Sequence, residues 1–105
     1  MSEAEDELAW QMHAIGLDPI RQFHFGESIG RRWAADFAFL EPSVKLLIEV
    51  DGGAYVAGRH VRGQGYEEDH ARDAEALCLG FRILRVTPRQ VTDGKALSWI
   101  ERLMK

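Results

Sequence analysis

Two apolar runs, 33–40 (WAADFAFL) and 44–51 (VKLLIEVD), carry the clearest hydrophobic pattern in the chain. Little more than Glu41-Pro42-Ser43 separates them, which predicts two antiparallel strands joined as a hairpin. With the turn centred between Pro42 and Ser43, Phe37 falls opposite Ile48 and Phe39 opposite Leu46, so the apolar residues share one face. Asp36 then falls opposite Glu49, and Asp51 shares their face. Directly opposed Cβ atoms in such a pair lie about 5 Å apart.

The flanking segments have their own periods. Residues 3–15 read as a helix with Ser2 as N-cap, acids in the first turn, and Gly16 followed by Pro19 as a stop. Its inward stripe is Leu8, Met12 and Ile15, with Glu5 at the margin and Glu3 and Glu7 pointing elsewhere. IRQFHF (20–25) alternates like a strand, and Gly26 to Gly30 turn the chain into the hairpin. After Asp51 comes GGAYVAGRHVRGQG, with five glycines in fourteen residues. A loop of that length in a small domain is usually functional. Helix returns over 66–79, with Gly80 as its C′ residue, and FRILRV (81–86) is a short strand broken by Pro88. A last helix spans 94–104 and buries Leu97, Ile100 and Met104.

The predicted order is therefore αβββαβα, an α/β domain. The helix between the third and fourth strands suits a crossover to a parallel neighbour, giving a mixed four-stranded sheet flanked by helices. At 105 residues the chain reads as one domain, 1–105. No apolar run is long enough to span a membrane, and MSEAEDEL does not resemble a signal peptide, so a cytoplasmic location with no membrane partner is expected. The one cysteine, Cys78, excludes an internal disulfide and reads as a small buried core residue.

A net charge of −4 argues against nonspecific coating of nucleic acid. The distribution changes that picture: acids gather at 3–7 and 67–75, whereas Arg31, Arg32, Arg59, Arg62, Arg82, Arg85 and Arg89 surround the carboxylate hairpin. A phosphate-binding face on an acidic protein is compatible with this.

Asp36, Glu49 and Asp51 are the strongest candidates for chemistry. Like charges on one strand face repel, so protons, basic side chains or a cation must compensate. A divalent cation does so best, and all-oxygen ligands favour Mg²⁺ or Mn²⁺. His60 lies in the glycine-rich loop beside Arg59 and suits proton transfer near neutral pH. Asp69, early in the next helix, is placed to orient that imidazole, or else favours the helix N-terminus with help from Arg72. His13, His24, His70 and Cys78 lack zinc-ligand spacing. The glycines at 52, 53, 58, 63 and 65 match no nucleotide-binding fingerprint. Trp33, Tyr55 and Trp99 read as packing residues.

RRWAADFA, LLIEVDGG and GRHVRGQGYEEDHARDAEALCLGFRILRVT together resemble the very-short-patch-repair-type branch of the PD-(D/E)XK nuclease superfamily, including small endonuclease domains of phages and prophages. The resemblance covers essentially the whole chain. It implies a restriction-endonuclease-like fold and a Mg²⁺-dependent DNA endonuclease in which Mn²⁺ substitutes. Asp36 would be the principal metal ligand, completed by Glu49 or the carbonyl of Val50. Asp51 stands where the wider superfamily has a lysine, which turns attention to His60 as general acid or base and to Asp69 as its orienter. Glu5 corresponds to the acid such domains place on their first helix, which either supports a metal ligand or touches a metal-bound water. Arg31, Arg32, Arg59, Arg62 and Arg72 would meet DNA phosphates, Arg72 standing where such domains often have lysine. A homodimer stays open, as does a non-catalytic nucleic-acid-binding or assembly module that keeps the fold.

Overall fold

The computed structural model describes residues 2–52 and 64–105. The elements run α1 (Glu3–Ala14), β1 (Ile20–Phe23), a 3₁₀ turn (Glu27–Ile29), β2 (Ala35–Phe39), β3 (Leu46–Val50), α2 (Gln64–Cys78), β4 (Arg82–Val86), α3 (Pro88–Thr92) and α4 (Lys95–Leu103). The four strands form one mixed sheet in the order β1-β2-β3-β4. β1 and β2 are antiparallel, as are β2 and β3, while β4 lies parallel to β3 after the crossover through α2.

The hairpin takes the expected register. Phe37 pairs with Ile48, Ala38 with Leu47 and Phe39 with Leu46. The turn closes when the Val44 and Lys45 amides both donate to the Glu41 carbonyl. Alternation then divides the sheet into two faces. Phe37, Phe39, Leu46 and Ile48 join Leu8, Met12, Val86, Val91, Ala96 and Ile100 in one core, beneath α1, α3 and α4. Ala38 and Leu47 join Phe25, Ala76 and Phe81 in a second core under α2. Complete burial of each large side chain contributes about 1.5–3 kcal/mol, so the first core fixes which sheet face α1 covers.

The Ser2 hydroxyl accepts from the Glu5 amide at the start of α1. Gly16, with φ +88°, ends that turn in the left-handed region that glycine tolerates. Ile15 departs from expectation: the helix stops one residue earlier, leaving Ile15 as an exposed C-cap. Cys78 also departs, since it is exposed rather than buried. α2 turns Arg72 and Ala76 toward the sheet, and a residue two positions from Ala76 lies on another side of the helix.

Pro88 does more than end β4. It is the first residue of α3, where a proline's missing N–H costs nothing, and Thr87 and Gln90 close a capping box around it. That short helix supplies Val91 to the first core. No helix of the described residues is long and apolar enough to cross a membrane.

Candidate functional site

Asp36 and Glu49 sit at the end of the β2–β3 ladder. The pairs given above continue to place them opposite each other on the α2 side of the sheet. At this point the strands part from regular pairing: the Val50 amide donates to Asp36 Oδ2 at 2.8 Å. A side-chain oxygen thus serves where a strand ladder would supply a main-chain acceptor. Asp36 is half-buried, and among the described residues nothing donates to its other oxygen, Oδ1.

Glu49 has a different environment. Arg72 of α2 donates to its Oε2, and Arg85 of β4 lies 3.7 Å from its Oε1. Arg72 also donates to the Ala34 carbonyl at 2.7 Å and lies over the Phe25 ring, while Arg85 pairs with Asp73. The Glu49 and Arg72 side chains are only 17% and 13% exposed. Burial pushes the Glu49 carboxyl above its ordinary value; Arg72 and Arg85 pull it down, and Asp36 adds a smaller upward push. Basic side chains therefore compensate this carboxylate, one of the solutions open from the sequence.

The helix acid Glu5 faces fully inward. It is 5% exposed and lies on the same stripe as Leu8 and Met12, three and seven residues on. Burial of a carboxylate requires partners, and β1 provides them. Arg21 Nη2 and Gln22 Nε2 donate to Glu5 Oε2 at 3.2 and 2.9 Å. Arg21 also donates to Asp6 at 2.8 Å and lies over the Phe37 ring. Its guanidinium is held above its ordinary value chiefly by Asp6, with Glu5 adding to the effect against burial. Neither Arg21 nor Gln22 stood out in the sequence, because IRQF reads as an ordinary alternating strand. The signal that would have found Arg21 is the need of an inward Glu5 for a cation.

The other expected residues are distributed as follows. Asp51 is exposed at the end of β3, its amide donating to the Val86 carbonyl. Asp69 is exposed on α2. Arg72 turns to the sheet instead of toward Asp69. Arg31 stacks over Trp33 and pairs with Glu68 at 3.6 Å, while Arg32 is exposed. Trp33 and Trp99 pack against the two cores as expected. His60, Arg59, Arg62 and Tyr55 lie outside the described residues.

A search of solved structures adds an independent comparison. The chain is similar to the catalytic domain of the homing endonuclease I-Bth0305I, with a TM-score of 0.67 and 19% identity, over 98% of this chain and 94% of that one. The two share a fold. No protein-family model matches the chain, and no curated protein sequence matches it. The mixed sheet with flanking helices is thus similar to that of the neighbour's catalytic domain, and Asp36 stands at the end of the β2–β3 hairpin.

The donor set suits a hard cation. Among the described residues no group of three His, Cys, Asp or Glu side chains is arranged to hold a metal. Mg²⁺, however, commonly takes only one or two carboxylates and keeps several waters, leaving room for substrate phosphate. Asp36, with one oxygen anchored and the other open, fits that pattern together with a backbone carbonyl. Glu49, with both oxygens facing arginines, fits it less well.

Proposed function

We propose that the chain is a metal-dependent DNA endonuclease that hydrolyses phosphodiester bonds. The observation that carries this reading is the Asp36 carboxylate, fixed by the Val50 amide on a fold shared with an endonuclease catalytic domain. Asp36 and the Val50 carbonyl would hold Mg²⁺, with Mn²⁺ able to substitute. Bound there, the cation supplies neutralisation of phosphate charge, orientation of the attacking water and stabilisation of the departing oxygen.

The remaining residues divide the other tasks. Glu5 of α1 would contact a metal-bound water, as the resemblance implies. Glu49 holds Arg72 and Arg85 against the sheet, so that their charge borders the site without collapsing onto Asp36. His60 exchanges the proton, either taking it from the attacking water or giving it to the leaving oxygen, and Asp69 orients the imidazole. Asp51 would add negative charge near the ion. Arg31, Arg32, Arg59 and Arg62 contact flanking phosphates, which position the duplex without reading its sequence. In the net reaction a water oxygen bonds to phosphorus, the bond to the ester oxygen breaks, and that oxygen leaves protonated.

Nicking of supercoiled plasmid in Mg²⁺ tests this directly. Cleavage is expected with wild type, absent with EDTA, and lost in Asp36→Asn and His60→Ala with their folds intact. Undiminished cleavage by both variants would refute the site. Salt-sensitive binding of DNA without any cleavage would instead support a binding module that keeps the fold.

A further inference from the structure

We propose that a groove along the free edge of β4 holds unpaired nucleotides of a DNA strand that continues from the site of Asp36 and Glu49. The inference rests on the nuclease reading above and deepens it, naming DNA with a single-stranded flank as the substrate. Its starting point is an asymmetry of charge. Residues 82–105 carry six basic side chains and two acidic ones, a net +4 in a chain of net −4, so the remainder carries −8. β4, α3 and α4 are therefore the cationic part of an acidic protein.

These elements leave a groove between them. β4 ends the sheet, with β3 on one side and no strand on the other among the described residues. The Arg82 amide donates to the Lys45 carbonyl and the Val86 carbonyl accepts from the Asp51 amide, so the main chain faces β3 at 82, 84 and 86. By alternation the N–H and C=O groups of Ile83 and Arg85 point to the open edge. Alongside that edge lies a groove of about 690 Å³, lined by Leu84, Arg85, Gln90, Trp99, Arg102 and Leu103. Gln90 sits beyond the end of β4 and the Leu103 carbonyl accepts from Arg82 at its start, so the groove follows the strand.

The chemistry of the lining selects the occupant. Leu84, Leu103 and the half-buried Trp99 supply apolar surface, and both charged side chains in the lining are cationic. Arg102 is exposed and has no partner among the described residues. Gln90 Oε1 accepts from the Thr87 amide, which leaves Nε2 as a donor with no acceptor among those residues. An aromatic face beside unused cationic and amide donors suits a stacked base and its phosphate. An acidic peptide would satisfy the charges alone, whereas a nucleotide satisfies the charges and the ring. The volume admits a few bases and no double helix. Arg85 joins the two places: it lines the groove and lies 3.7 Å from Glu49 Oε1, across the strand pair from Asp36.

Fluorescence anisotropy of a labelled oligothymidylate in EDTA tests the groove, and nicking of duplexes with and without a single-stranded flank tests its use. Trp99→Leu keeps apolar bulk but removes the stacking face, so binding should weaken roughly tenfold, and Trp99→Phe should restore most of it. Arg102→Gln changes an exposed side chain that the fold does not use. It should weaken binding and reduce the slope of log affinity against log salt by about 0.7. Trp99→Leu and Arg102→Gln should both lose the wild-type preference for flanked over blunt duplex while still nicking supercoiled plasmid. Wild-type affinity for oligothymidylate in both variants, with plasmid nicking intact, would overturn this inference and leave the nuclease reading standing. Polyglutamate that binds as tightly, and is lost in the same variants, would overturn it in favour of an acidic-peptide site. A wild-type protein that neither binds nor nicks DNA would remove both.

Discussion

Asp36 and Glu49 are the same functional group on neighbouring strands, opposed in one register, yet their surroundings differ. Asp36 receives a single main-chain donor on one oxygen. Glu49 faces an arginine from each of two elements. The difference teaches that crowding acids onto one sheet face does not define their roles. What decides is which other elements reach them. α2 and β4 bring cations to Glu49, while Asp36, nearer β1, meets a glutamine backbone across the strand pair.

The largest expected effect comes from Asp36. Asp36→Asn keeps an acceptor for the Val50 amide and removes the charge, so nicking should fall roughly a thousand-fold, a few kcal/mol of transition-state stabilisation, with the melting midpoint little changed. An equal fall in Glu49→Gln would erase the distinction drawn between the two acids. The reverse pattern is expected for Arg72. Arg72→Ala leaves a half-buried carboxylate and the Ala34 carbonyl without their donor, so stability should fall by about 3 kcal/mol in denaturant titrations. Unaltered stability would show that Arg85 alone compensates Glu49.

Ser2→Ala addresses the helix that carries Glu5. Loss of the cap to the Glu5 amide should lower stability by about 1 kcal/mol. The smallest effect concerns pH. Because burial raises the folded-state value of Glu49, its proton stabilises the fold below the ordinary value of 4.5, and that contribution fades as pH rises through the higher folded value. Glu49→Gln removes the titration, so the stability of wild type relative to the variant should decline with rising pH across this window. Parallel pH profiles of thermal unfolding would contradict the assignment.

The hairpin register was legible because Phe37, Phe39, Leu46 and Ile48 fit only one pairing that buries them together. Glu5 could be read as the most inward of its helix's acids from the spacing to Leu8 and Met12, although it proved central to the stripe. The cations at Glu49 were harder to assign. Arg72 and Arg85 lie 23 and 36 positions along the chain, and only the docking of α2 and β4 brings them there. Gln22 left no trace in the sequence, since its positive φ is a tertiary effect on a residue that has no preference for it. α3 is hidden in the sequence because Pro88 reads as a break after β4, although Thr87, Pro88 and Gln90 together spell a helix start. Cys78 reads as buried in the sequence but is exposed, because burial statistics for cysteine do not specify which side of α2 it occupies.

The bond from the Val50 amide to Asp36 gives the protein an internal probe. Anything that draws electron density from that carboxylate must also perturb the amide attached to it. The nitrogen-15 and proton resonances of Val50 should therefore move as cation is titrated in, so that arrival at the site becomes visible by NMR before any DNA is added.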